Sequence, residues 1–177
     1  MGRRASGFTL IELIIVMIVI FTLAAVIAPR FSDFFPSFQV KKSTEHLLGW
    51  ARKARADAAI TGFRQRLILD SKNRKFWLEY EARPMKEPGK FTMLSGAWGE
   101  EQLPEGVDFE QVDVSESTGA PVTGSSGGDV KILEFRPDGS STEATVILSN
   151  DNGDRLTVRV EGATSKVYIK AAEDEHK

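Results

Sequence analysis

The 177-residue chain contains no cysteine and only two histidines, His46 and His176. The first absence removes every disulfide and every thiolate metal site, so a folded domain must stand on packing alone. The second leaves little for acid–base chemistry: His46 falls on the polar side of an amphipathic stretch, and His176 sits in an acidic end. The Gly-rich run at 124–128, Gly-Ser-Ser-Gly-Gly, lacks the Lys-Ser/Thr pair of a phosphate loop. The chain is therefore read as a non-enzyme without a cofactor. Asn150-Asp151-Asn152-Gly153-Asp154 offers oxygen ligands but not the full series or the closing Glu of a calcium loop; it reads as a hairpin tip, and no metal is expected. An excess of positive charge is also missing. The formal net charge is -2, and the C-terminal residues 171–177 are acidic where phosphate contacts would need Lys or Arg, so no nucleic acid is expected as a partner.

What is present is one long apolar run. Residues 8–28 are 21 in number and carry a single carboxylate, Glu12. At about 1.5 Å rise per residue, a helix of that length matches the roughly 30 Å hydrocarbon core of a bilayer. An acid inside such a span costs about 2.5–3.5 kcal/mol at mid-bilayer, so its presence asks for a partner. Ahead of the run, Arg3 and Arg4 stand without an apolar region of their own. This excludes an ordinary secretory signal and holds the start on the cytoplasmic side. The expectation is a single-pass membrane protein, N-terminus inside and C-terminal domain outside.

The basic leader, Gly7 and the following Phe8-Thr9-Leu10-Ile11-Glu12-Leu13 resemble the prepilin processing motif of type IV pilins and type II secretion pseudopilins, and Pro29 stands where those proteins place a proline. The resemblance implies cleavage after Gly7 by a membrane prepilin peptidase and N-methylation of the new terminus at Phe8. Losing Arg3 and Arg4 with the leader takes the formal net charge from -2 to -4. The residues support that chemistry independently. A small side chain at Gly7 leaves the scissile carbonyl unshielded, and cleavage gives Phe8 an ammonium. Glu12, four residues on, lies one helical turn away on the same face, where it can neutralise its own terminus or that of a neighbour. Glu12 and Pro29 are accordingly the assembly residues. The bland alternative for Glu12 is an acid snorkelling at the membrane edge.

Beyond Ala28, Pro29 and Pro36 each delete a backbone donor and are expected to kink or locally unwind the rod. Phe31, Phe34, Phe35 and Phe38 form an aromatic stripe suited to a membrane interface, to neighbouring helices or to the protein's own domain. Val40, Thr44, Leu47, Leu48, Ala51, Ala54 and Ala58 share one helical face opposite Lys41, Lys42, Glu45, Arg52 and Lys53, and Gly62 is placed to end the helix. Strands are predicted over 64–69, 75–80, 131–135, 143–148, 155–160 and 166–170. The turns 71–74, Arg136-Pro137-Asp138-Gly139 and 151–153 punctuate them. The segment 115–129, rich in Ser, Gly and Thr, reads as a long flexible loop.

Leu133-Glu134-Phe135-Arg136-Pro137-Asp138-Gly139-Ser140-Ser141, two alternating strands and Gly162-Ala163-Thr164-Ser165-Lys166-Val167 are similar to the globular domain of H-type minor pseudopilins of the type II secretion system, a domain shared with FimT-like minor pilins. The family pattern ends in a Thr-Gly-Arg-Val-like turn, whereas this chain has Thr164-Ser165-Lys166-Val167. The fold class expected is α+β, a type IV pilin-like long helix packed on an antiparallel β-sheet. The expected division is a leader at 1–7, a transmembrane helix at 8–29, an amphipathic helix at 30–62, a periplasmic β-rich domain at 63–171 and an acidic tail at 172–177. The resemblance implies a structural minor pseudopilin at or near the tip of a periplasmic pseudopilus, promoting export of folded proteins across the outer membrane. Its implied partners are the prepilin peptidase, other pseudopilins, the inner membrane and, further out, secreted substrates or the outer-membrane secretin. The alternative is a minor pilin serving pilus assembly, motility or DNA uptake.

Overall fold

The computed structural model describes residues 9–32, 34–115 and 130–171. Gly7 and Phe8, the body of the 115–129 segment and the 172–177 tail lie outside the described residues. The chain separates into two compact units, Met1–Pro36 and Ser37–Lys177.

The first unit is built on helix α1 (Leu10–Ser32). Thr9 begins it: the Glu12 amide donates to the Thr9 carbonyl at 3.1 Å, and its contact with the Thr9 hydroxyl is 3.4 Å. Pro29 falls inside α1, and Pro36 is the third residue of the next helix, α2 (Phe34–Thr61). There it occupies the first turn, where the missing donor costs no helical hydrogen bond. Leu10, Ile11, Leu13, Ile14 and Ile15 are all exposed, and exposure continues through Phe21 and Leu23. Among the described residues no helix is long and apolar enough to cross a membrane. Described side chains in α1 end at Leu23, however, so they cover only part of the 21-residue run from which a span is read.

In the second unit the small-residue face of α2 is buried as its period requires: Val40, Thr44, Leu47, Ala51, Ala54 and Ala58 are each at most 1% exposed. Trp50 joins them, with its ring edge-on to Phe76 at 5.0 Å. Gly62 closes the helix at φ 72°, its amide donating to the Ala58 carbonyl at 3.0 Å. A side chain there would pay for left-handed backbone, which is why glycine stands at this stop.

The strands are β1 (Gln65–Asp70), β2 (Lys75–Glu81), β3 (Phe91–Met93), β4 (Glu100–Gln102), β5 (Val107–Val114), β6 (Val130–Phe135), β7 (Ala144–Asn150), β8 (Arg155–Val160) and β9 (Val167–Ala171). They form two antiparallel sheets where the sequence pattern is read as one. The larger has the order β3-β2-β1-β6 with β4 also paired to β2, and the smaller runs β5-β7-β8-β9. Leu67, Leu69, Phe76, Leu78, Leu133 and Phe135 from the first sheet share one core with Val146, Leu148, Val158 and Val160 from the second and with the buried face of α2. The architecture is thus α+β, an N-terminal helix followed by antiparallel sheets. Strand β5 escapes a period-2 reading because its register slips between Phe109 and Gln111, so the inward positions run 107, 109, 112, 114. Strands β3 and β4, three residues each, are too short to show any period.

Candidate functional site

Two regions carry chemistry that packing does not require. The first is the start of α1. Glu12 is exposed in the first helical turn, three residues after Thr9, which is the Thr-x-x-Glu spacing of a capping box. An acid there also faces the positive end of the helix dipole. The spacing is visible in the sequence, and it gives Glu12 a local role beside the assembly role assigned to it. Of the other N-terminal candidates, Pro29 lies within α1, whereas Gly7 and Phe8 fall outside the described residues. In the aromatic stripe Phe38 is 64% exposed, and the side chains of Phe31, Phe34 and Phe35 are not among those described.

The second region was not legible in the sequence. On the face of the larger sheet turned away from α2, strand register sets Glu79, Arg66 and Glu134 side by side across β2, β1 and β6. Alternating charges in a strand ordinarily mark a wet face. Here Arg66 and Glu79 are each 1% exposed and Glu134 is 3% exposed. Arg66 donates through Nε to Glu134 Oε2 at 3.0 Å, and its guanidinium lies 3.5 Å from the centroid of the Phe91 ring. Arg64 holds Glu81 with two hydrogen bonds of 2.7 and 2.6 Å, and Glu81 also accepts the Gly89 amide at 2.6 Å. Those bonds from Arg64 keep the Glu81 carboxyl below the usual range, against the opposing effect of burial. The Arg64 guanidinium is raised in return, chiefly by its hydrogen bond to Glu81.

Glu79 is the exception in this row. One of its oxygens accepts the Trp77 indole N–H at 3.0 Å, while Oε2 is buried with no hydrogen-bond partner. Burial pushes its carboxyl up, more than the Trp77 bond and the charge of Arg66 pull it down. Residues 82–99, which include β3, lie beside this row. Met93 is opposite Glu79 and Phe91 opposite Glu81, and the Leu94 amide donates to the Leu78 carbonyl at 2.8 Å.

The remaining candidates are structural. Asn150 and Asp154 close the β7–β8 tip upon themselves, the Asn150 side-chain amide donating to Asp154 Oδ2 at 2.8 Å. Ser37 Oγ, at the start of the second unit, donates to the same oxygen at 2.6 Å. This hydroxyl first, and then Asn150, keeps the Asp154 carboxyl below its ordinary value. His46 pairs with Glu101 of β4 at 2.8 Å, on the exposed side of α2. Among the described residues no group of three or more His, Cys, Asp or Glu is placed to hold a metal. A shallow polar hollow of ≈ 340 Å³ lies between Tyr80, Arg83, Glu87, Lys90 and Thr92 at the end of β2.

Ser165 occupies the turn where the sequence departs from the family pattern, with φ 49°. The pattern has glycine there, which suits left-handed backbone. Ser165 is 1% exposed and donates its hydroxyl to the Gly139 carbonyl at 2.8 Å, tying the β8–β9 turn to the β6–β7 turn. The departure is thus accommodated by a hydrogen bond that glycine would lack.

Residues 2–28 match the family described as the prokaryotic N-terminal methylation motif. Two solved structures of the minor pseudopilin EpsH from the type 2 secretion system of Vibrio cholerae have the same fold. One aligns with a TM-score of 0.55 at 13% identity, covering 75% of this chain and 97% of that one. The other gives 0.56 at 13% identity, covering 78% and 98%. No curated protein sequence matches the chain significantly. The chain therefore combines a prepilin-type N-terminal motif with a pilin-like α+β fold of the kind seen in a minor pseudopilin.

Proposed function

We propose that this chain is a structural minor pseudopilin of a type II secretion system, a subunit of a periplasmic pseudopilus that promotes export of folded proteins. The observation that carries the proposal is a methylation motif at residues 2–28 leading into a chain that shares its fold with nearly all of the solved EpsH chains. Residues 1–7 are the leader and 8–29 the inner-membrane anchor in this reading. Helix α2 continues the anchor towards Gly62, residues 63–171 form the periplasmic domain, and 172–177 form an acidic tail.

Cleavage after Gly7 by the prepilin peptidase, followed by methylation, leaves a cationic terminus at Phe8. Glu12 stands one turn further on. In a bilayer an unpartnered carboxylate is costly, so a subunit whose Glu12 meets the terminus of its neighbour is favoured over one that stands alone. That pairing fixes axial register, because the acid and the amine meet at only one stagger. The apolar helix supplies the rest of the association, and Pro29, within α1, withdraws one backbone donor from it. The reaction is the peptidase's; this chain contributes the recognised bond and a surface for other pseudopilins.

The test is secretion by the native host with the gene deleted and then restored. Exoproteins that stall in the periplasm and are released on complementation support the reading. Unchanged secretion overturns it and favours the minor pilin alternative.

A further inference from the structure

We propose that Glu79 is a proton-controlled latch that holds the segment 82–99 against the larger sheet: protonated, it keeps the segment closed, and ionised, it favours opening. Three carboxylates and three guanidiniums meet on this face, but they are not equivalent. Glu81 is taken by Arg64 through two hydrogen bonds. Glu134 takes Arg66 at 3.0 Å and has Arg64 and Arg136 each at 3.5 Å. Glu79 is left with one indole N–H and a second oxygen, buried and without a partner.

A carboxylate in that position would carry a charge satisfied on one oxygen only, whereas a carboxylic acid leaves less charge to solvate. The surroundings decide which form is held. Strand β1 with the residue before it presents Arg66 and Arg64, which favour ionisation, and β6 with the residue after it presents Glu134 and Arg136. Glu81 lies two residues along β2, β3 brings only Phe91 and Met93, and β4 brings Glu100, which Lys75 engages at 2.8 Å. Arg66 is the cation adjacent in register, and it donates through Nε to Glu134, while Glu79 Oε2 has no hydrogen-bond partner. The direction in which burial moves the Glu79 carboxyl agrees with this geometry.

The way for water to reach an ionised Glu79 is past β3. That strand is three residues long, with Met93 directly opposite Glu79 and the Leu94 amide bonded to the Leu78 carbonyl. Opening there frees Phe91 from Arg66 and presents an aromatic ring and a guanidinium on the outer face. The sign follows from linkage. A closed state that binds its proton more tightly than the open state loses stability as pH rises from the ordinary glutamate range to the midpoint of Glu79 itself. Over that interval the open population grows about tenfold per pH unit, and above it the population is constant.

The experiment uses the full chain in detergent micelles. It follows the side-chain carboxyl carbons by ¹³C NMR and the protection factor of the Leu94 amide by hydrogen exchange, corrected for intrinsic exchange, between about pH 4 and 8. Glu79 should titrate above the other glutamates, and Leu94 protection should fall about tenfold per pH unit across the window. Glu79→Gln should make that protection flat, and Glu100→Gln should leave the slope as in the parent. A Glu79 carbon titrating with the exposed glutamates, or Leu94 protection independent of pH in the parent chain, overturns the proposal whether or not the Gln variant folds.

Discussion

Replacing Arg66 by Met would withdraw one cation from the buried row while keeping an aliphatic stem of similar reach. Arg66 is 1% exposed, bonds Glu134 at 3.0 Å and stacks on Phe91 at 3.5 Å. Breaking a buried ion pair from one side costs about 3–5 kcal/mol, because the abandoned charge stays where it was. Glu134 is not wholly abandoned, since Arg64 and Arg136 remain at 3.5 Å, each about a third or more exposed. The expected loss therefore falls at the lower end, about 3 kcal/mol. The stacking on Phe91 disappears in the same step and is not added to it.

The assay is urea unfolding of the full chain in detergent, followed by the β signal in circular dichroism, for Arg66→Met, Glu134→Gln and the double variant. Removing both partners removes the uncompensated charge, so the double variant should be more stable than the sum of the single losses by about 2 kcal/mol. The slope of stability against urea should not change, because the surface exposed on unfolding is the same. A loss below about 1 kcal/mol for Arg66→Met, or strict additivity in the double variant, would refute the view that this row is one coupled unit.

Gly7→Val should leave uncleaved precursor in the native host, read as intact mass; mature mass would show that the scissile bond lies elsewhere. Glu12→Val should still be processed yet fail to crosslink to other pseudopilins, and undiminished crosslinking would remove the register role. At the left-handed turn, Ser165→Gly exchanges a hydrogen bond for relaxed backbone and should be near neutral. Ser165→Ala keeps the strain, loses the bond and should be less stable by about 1–2 kcal/mol. Melting temperatures that rank Ala above Gly would contradict that account.

Helix α2 was legible because all seven positions on one face follow a single period, and burial of six of them to 1% or less matches it. Six of the nine strands among the described residues were legible from alternation and from the turns that bound them. Strand β5 was not, because its bulge moves the apolar set by one residue, and β3 and β4 are shorter than any period. Trp50 stands beside the small-residue stripe rather than in it, so the period does not mark it as buried. The row Glu79–Arg66–Glu134 was hidden for another reason. Charged residues alternating with Leu and Ile look the same whether their face is wet or covered. Only register, which brings opposite charges level across three strands, and the neighbouring Phe91 distinguish the two. The processing motif lies at the other extreme, carried by local residue identity alone.

The core has a consequence for the order in which the chain can become stable. Val40, Leu47 and Ala51 of α2 are buried with Val158, Val160 and Val167 near the other end of the sequence. Arg52 donates to the Val167 carbonyl across 115 positions, and Ser37 to Asp154 across 117. Strand β6 joins β1 only after the whole intervening stretch, with Val130 opposite Asp70. Contacts so distant form late, since loop closure must precede the gain they bring. A chain that emerges N-terminus first thus holds the apolar face of α2 uncovered until its last strands arrive. No disulfide can trap a partial structure meanwhile, so completion of the domain waits on β7, β8 and β9.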